Sequence, residues 1–249
     1  QIRNTFTGLI EQKKYESKSI RYCKLHEAEI NNTVMNLVNG KNTDLPDLEC
    51  VTTNNSRYYV TPEGKHYPSV TTVVNWDKRA FFAEWRKNNP GKSSAILSRG
   101  TKVHKLVEDY LEIGIIPSQD DPVVNSMFTN LVSMVDELDE VISVEAALYS
   151  DLLQLAGRVD CVGILNGEYC IVDFKTSTKI KPEKWLTEYW CQATAYAIMW
   201  QERTGIPVPK IAIMMVSEDG KKKLFTKDSK DMVPVLKEKI DKYRSELHL

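Results

Sequence analysis

The sequence predicts an α/β protein of the mixed α+β kind, with a central mixed five-stranded sheet flanked by helices. Three observations carry this. Asn166-Gly167 is a strong type I′ turn signal, because both residues tolerate positive φ, and it lies between two runs that read as strands. A helical stretch follows that pair, then two more strand-like runs around Asp219-Gly220, then an amphipathic C-terminal helix. Several helical patterns precede the first strand.

Residues 1 to about 60 are the least legible, rich in Asn, Thr and Lys. A helix is expected across Ile20 to Asn39, with a loop from Asn39 to Pro46. From Tyr67 the signals sharpen. Asp77 is expected to cap a helix running to Asn88, where Asn89-Pro90 stops it. Ser93 or Ser94 caps a longer helix through Leu111, and Asp121-Pro122 opens another that ends near Glu140. Val141 to Leu148, Leu155 to Leu165 and Glu168 to Lys175 are expected strands. Pro182 opens a helix to Thr204, with Gly205 at its end. Lys210 to Ser217 and Lys221 to Thr226 form the last strands, and Asp231 to Leu247 the final helix.

Composition narrows the class. With 42% hydrophobic and 27% charged residues, the chain is an ordinary soluble globular one. No apolar run approaches ~18 residues, so no membrane association is expected. The N-terminus reads as neither a signal peptide nor an Arg-rich presequence, and its lack of an initiator Met reads as trimming. The five cysteines form no CxxC pair, which suggests buried thiols in a reducing, intracellular compartment. The same spacing argues against zinc and against an iron–sulfur cluster. A net charge of −1 excludes a protein that coats polyanions; nucleic-acid contact has to come from a local patch.

The chemistry concentrates around the hairpin. If Asn166-Gly167 is a two-residue loop, Leu165 pairs with Glu168, and counting outward brings Asp160 directly across from Asp173. In a non-hydrogen-bonded pair their Cα atoms lie about 4.5 Å apart. Two carboxylates that close repel unless a cation sits between them, and they offer the hard oxygen ligands that Mg²⁺ prefers. Lys175 follows on the same face as Asp173, where it can stabilise an anionic transition state or orient a water. Gly100 and His104 share a helix face, and Gly100 suggests close approach of another element or of substrate. Glu145 lies mid-strand, where an isolated carboxylate is costly if buried. Gln192 and Tyr196 again share a helix face. Singly, each has an ordinary reading: His104 hydrogen-bonded, Glu145 solvated on an edge strand, Tyr196 in the core. Their joint order carries the case.

That order, Gly100…His104, Glu145, Gly157-Arg158-Val159-Asp160, Asp173-Phe174-Lys175 and Gln192-Ala193-Thr194-Ala195-Tyr196, resembles the successive motifs of RecB-like nucleases of the PD-(D/E)XK superfamily. Pro68-Ser69-Val70-Thr71 and the extension Thr176-Ser177 resemble the branch of mitochondrial genome maintenance exonucleases and their phage-encoded relatives. The resemblance covers roughly residues 65 to 245 and implies a restriction-endonuclease-like core. Residues 1–65 are then an N-terminal extension and 66–249 the nuclease domain, with a helical part at 66–140 and a catalytic part at 141–249.

The resemblance implies a Mg²⁺- or Mn²⁺-dependent nuclease. Asp160 and Asp173 would hold the metal, helped by the carbonyl of Phe174, with His104 completing the shell. Lys175 would position the attacking water and stabilise charge on the phosphate. Glu145 would assist the metal site, and Gln192 and Tyr196 would brace it and touch substrate. Arg99 and Lys102 are expected on a phosphate backbone, with Arg158, Thr176, Ser177 and Tyr196 as further nucleic-acid contacts. Lys78, Arg79, Phe81, Phe82, Trp85, Arg86 and Lys87 interleave cations and aromatics as single-strand binders do, although the aromatics are expected in the core. The expected activity is exonucleolytic, on single-stranded DNA from a free end, in replication, recombination or repair. The expected setting is intracellular: the cytoplasm of a bacterial host if the chain is phage-encoded, with the mitochondrial matrix second. A structure-specific endonuclease, or a nucleic-acid-binding module with an inactive core, stays open.

Overall fold

The computed structural model describes residues 45–53, 56–114 and 120–247. The helix expected across Ile20 to Asn39 and most of the loop after it lie outside the described residues.

A small antiparallel sheet opens the described chain: β1 (Glu49–Thr53), β2 (Ser56–Val60) and β3 (His66–Pro68) in that spatial order. This sheet is not expected from the sequence. Tyr58-Tyr59-Val60 and Tyr67 have the aromatic and β-branched character of strands, but each run is short and lies among polar residues. Tyr59, Tyr67 and Leu48 pack on Ala147, Tyr149 and Ala156, which fastens this sheet to the central one.

Ser69 accepts the amide of Thr72 at 3.1 Å and caps α1 (Val70–Val74). A 3₁₀ turn at Trp76–Lys78 precedes α2 (Arg79–Asn88), so the helix starts later than expected. Asp77 does not cap it, because its carboxylate is taken by Lys239 at 3.1 Å. α3 (Pro90–Ile113) starts at its proline, ahead of Ser93 and Ser94, and ends at Gly114 in the left-handed region. α4 (Pro122–Val135) is capped by Asp121, as expected, but stops short of Glu140. The reason is sheet entry: the Asp139 amide donates to the Ile164 carbonyl at 2.8 Å, and Asp139 Oδ2 accepts from Gly167 at 2.8 Å.

The central sheet is β4 (Glu140–Ser150), β5 (Leu155–Leu165), β6 (Glu168–Ser177), β7 (Lys210–Ser217) and β8 (Lys222–Asp228), in that spatial order. All neighbours are antiparallel except β6 and β7, so the sheet is mixed as predicted. A parallel pair needs a crossover, and α5 (Thr187–Thr204) supplies it. Pro182 starts only a 3₁₀ turn, Glu183–Trp185, before α5 begins. α6 (Val233–Leu247) closes the chain. α3 and α4 cover one face of the sheet, and α1, α5 and α6 cover the other. The helix-flanked mixed sheet of the sequence reading is the observed architecture.

The hairpin register is as counted, from Leu165↔Glu168 to Cys161↔Val172, with Asn166 and Gly167 both at positive φ. It ends one residue short of the expected Asp160/Asp173 pair. Asp160 Oδ2 accepts the Phe174 amide at 2.7 Å, so a side chain takes a donor near the end of the ladder. β6 continues beyond that point paired with β7, to Ser177.

α2 also departs from expectation. None of its residues is buried, and Phe81 and Phe82 are 64% and 37% exposed. Among the described residues the helix packs mainly on the 3₁₀ turn before it and on α3, and the two rings meet edge to face at 5.5 Å on the surface.

Candidate active site

β6 brings Asp173 and Lys175 to one face, because they are two residues apart in a strand. Asp173 is 1% exposed. Its Oδ1 accepts from Gln192 Nε2 at 3.0 Å, and Lys175 Nζ lies 2.5 Å from Oδ2. That second contact is a close ion pair between buried groups, so the ammonium is the partner of Oδ2. Burial raises the Asp173 carboxyl to about 7, with Asp160 adding to the shift and Lys175 opposing it. Burial pulls the Lys175 ammonium down, but Asp173 and Asp160 outweigh it and hold the group above its ordinary value.

α5 braces this pair from below. Gln192 and Tyr196 lie one turn apart, both buried. Tyr196 stands so close to β5 that a Cβ on Gly157 would fall 2.7 Å from its hydroxyl. The glycine of the Gly157…Asp160 motif is therefore required by the tyrosine of the Gln192…Tyr196 motif. Burial, then the charges of Asp160 and Asp173, push the Tyr196 phenol well above its usual range.

α3 closes the site from the other side. A Cβ at Gly100 would lie 3.1 Å from Thr176 Oγ1, which accounts for a glycine inside a helix. One turn later, His104 Nδ1 lies 3.8 Å from Asp160 Oδ2, and its ring faces Phe174 edge-on at 6.2 Å. Burial lowers the His104 pKa, against the pull of Asp160. On β4, Glu145 has φ of 51° within a strand. Burial raises its carboxyl to about 7, with Asp160 and Glu108 contributing.

The residues expected on nucleic acid are arranged less simply. Arg99 is ion-paired with Glu218, and Thr176 is packed on α3. The Ser177 carbonyl accepts the Glu218 amide at 3.0 Å. Lys102 is exposed on α3, two residues before His104 and so on a different side of the helix. Arg158 is partly exposed and has two partners within the protein: Nη1 donates to the Glu145 carbonyl at 2.6 Å and Nη2 to Asp47 Oδ1 at 2.5 Å.

Two residues near the site escaped the sequence reading. The Tyr189 ring lies 5.0 Å from Lys175 Nζ and 4.9 Å from Lys181 Nζ, and Lys181 donates to its hydroxyl at 2.6 Å. The signal was available: Tyr189 precedes Gln192 by three residues and so shares its helix face.

Among the described residues, no three His, Cys, Asp or Glu side chains are gathered closely enough to hold a metal ion. The donors nonetheless fit a hard divalent cation. Mg²⁺ takes one or two carboxylates and completes its shell with water and phosphate. Asp173 is a buried carboxylate beside a second one, Asp160, whose charge raises it further, as two oxygen ligands awaiting a shared cation do.

Residues 122–248, just over half of the chain, match the PD-(D/E)XK nuclease superfamily. Among known proteins, Mitochondrial genome maintenance exonuclease 1 of Xenopus tropicalis is 29% identical over 129 residues, 46% of this chain and 37% of that protein. The proteins of that name in Mus musculus and Homo sapiens are each 27% identical over 130 residues, 46% of this chain and 38% of theirs. The similarity thus spans little more than a third of these relatives. Among solved structures, the crystal structure of SSO0001 is 15% identical, covering 69% of this chain and 74% of that one, with a TM-score of 0.35; so distant a likeness carries no argument. The family match falls on the strands that carry Glu145, Asp160, Asp173 and Lys175 and on the helix that braces them, and it makes this chain a member of the PD-(D/E)XK nuclease superfamily.

Proposed function

We propose that this chain is a divalent-metal-dependent deoxyribonuclease that degrades single-stranded DNA from a free end, in replication, recombination or repair. One observation carries the reading: Asp173 is buried, with Asp160 nearby and the Lys175 ammonium at 2.5 Å, in a nuclease-family sheet. The exonuclease names of the relatives and the exposed aromatics of α2 among cations support the mode and the substrate.

Asp160 and Asp173 would hold Mg²⁺ or Mn²⁺, with the Phe174 carbonyl and His104 beside them. A bound cation of this kind lowers the pKa of water and neutralises charge developing on phosphate. The protein supplies the rest. Gln192 fixes the Asp173 carboxylate by holding Oδ1. Tyr196, wedged against Gly157, sets the distance between α5 and β5. Lys175, kept protonated by its two carboxylates, presents a positive charge toward the phosphate and a hydrogen bond toward the attacking water.

The test uses linear single-stranded DNA labelled at either end, beside a circular strand of equal composition, in Mg²⁺, Mn²⁺ and EDTA. Metal-dependent loss of linear but not circular DNA, abolished in Lys175→Ala, is the expected result. Cutting of the circle would replace the exonuclease with an endonuclease. Binding of both strands without cleavage would leave only a nucleic-acid-binding module.

A further inference from the structure

Three non-glycine residues among those described have positive φ. Gln154 and Asn166 lie in the turns that flank β5, where that conformation is ordinary. Glu145, at 51°, lies inside β4. A side chain there crowds its own following carbonyl, so the surrounding structure has to hold it.

The sheet is disturbed at that place. Val144↔Cys161 and Ala146↔Val159 pair on either side, but Glu145 and Asp160 between them do not. Side-chain alternation also reverses there. Val159 packs in the cluster of α5, whereas Cys161, two residues on, packs in the cluster of α3 and α4. A regular strand would send both to one face. The kink thus coincides with Asp160, a carboxylate of the site.

One side chain grips the kinked backbone. Arg158 Nη1 donates to the Glu145 carbonyl at 2.6 Å, and its other arm is anchored on Asp47 Oδ1 at 2.5 Å. A planar guanidinium suits this, because its two arms donate in fixed directions. Asp47 precedes β1, so the anchor comes from the part of the chain that carries the small sheet.

We propose that Arg158 is a positioning residue of the active site: anchored by Asp47, it holds the Glu145 carbonyl in the left-handed kink that sets the Glu145 carboxylate beside Asp160. Arg158 then acts on the reaction through Glu145 and not through phosphate contact. The inference rests on the nuclease reading above. Wild-type hydrolysis tests that reading first, so an active wild type with an unaffected Arg158 variant refutes this inference alone.

The experiment compares Arg158→Ala, Arg158→Lys, Glu145→Gln and the double variant Arg158→Ala/Glu145→Gln. Single-stranded DNA hydrolysis gives kcat and KM. Binding of the same DNA without metal, over a range of salt, gives a slope independent of catalysis. A positioning role predicts that Arg158→Ala lowers kcat about tenfold to a hundredfold, the usual loss when a group supporting a metal ligand is removed. KM and the salt slope stay at wild-type values, and the double variant is no slower than Glu145→Gln within about twofold, since coupled residues do not add. Arg158→Lys, which can still reach the carbonyl, recovers part of kcat. A raised KM with a salt slope reduced by about one would instead make Arg158 a phosphate contact. Losses that multiply in the double variant would equally overturn the proposal. If Arg158→Ala shows no cooperative melt, the cycle with Arg158→Lys decides on the same criteria.

Discussion

Replacing Gly157 by alanine places a methyl carbon 2.7 Å from the Tyr196 hydroxyl oxygen, 2.9 Å from Cε1 and 3.3 Å from Cζ. The first two separations are too short to persist. Tyr196 is 3% exposed and lies on α5 among fully buried neighbours, so its ring has no empty space to enter. Either α5 moves from β5 or the ring leaves its preferred rotamer. Overpacking of this kind costs about 1–3 kcal/mol. In a chain of this size each kcal/mol lowers Tm by about 2–4 °C, so a fall of roughly 2–12 °C is expected. Activity suffers more, because α5 also carries Gln192, which holds Asp173. A shift of about 1 Å in such a support can cost on the order of a hundredfold in rate. The assay pairs thermal unfolding with single-turnover cleavage of single-stranded DNA, for Gly157→Ala, Tyr196→Phe and the double variant. Removing the hydroxyl deletes the 2.7 Å contact and leaves the 2.9 Å one, so the double variant should recover part of the lost stability. A Gly157→Ala protein that melts within about 1 °C of wild type and cleaves normally, or a double variant whose losses simply add, would refute the reasoning.

Three further outcomes are expected. Gly100→Ala gains about 1 kcal/mol of helix propensity and loses part of it against Thr176 Oγ1, so Gly100→Ala/Thr176→Ala should melt higher than Gly100→Ala alone; equal melting would show that the contact is not tight. Gln192→Leu leaves Asp173 Oδ1 without its donor and should cost about 1–3 kcal/mol in urea unfolding, with kcat falling while DNA affinity holds. In metal-free protein, the Asp173 and Glu145 carboxyls are both raised to about 7, chiefly by burial, so the folded state holds these protons more tightly than the unfolded one. Their stabilising contribution is complete below the unfolded carboxylate range and is lost as pH rises toward 7. If Mg²⁺ binds these anions as proposed, it should therefore raise Tm more at pH 8 than at pH 6, and an equal rise at both would count against a carboxylate metal site.

Local signals were read most reliably where one residue type enforces one backbone state. Asn166-Gly167 set the hairpin and its register because both positions need positive φ, and Gly205 ended α5 for the same reason. Asp173 and Lys175 stand out in the sequence as charged groups in an apolar strand, and the fold brings them together with Gln192. Gly100 was likewise read correctly as a point of close approach, though not what approached.

What tertiary structure alone decided is how distant groups share or compete for one another. Asp77 is a plausible helix cap until Lys239, far along the chain, takes its carboxylate. Phe81, Phe82 and Trp85 have the spacing of a core face, yet among the described residues α2 packs mainly on the 3₁₀ turn before it and on α3, and Phe81 is left exposed. Arg158 has the look of a phosphate ligand, and only the fold reveals its two partners within the protein, Asp47 and the Glu145 carbonyl. The left-handed backbone at Glu145 has no local signal at all, since glutamate does not favour it. The strands of the central sheet and the Asn166-Gly167 hairpin were legible in the chain because they depend on sequence neighbours, whereas the short strands of the small sheet were not. The partners of each charge, and the strain at the centre of the site, depend on contacts that only the packed sheet and its helices create.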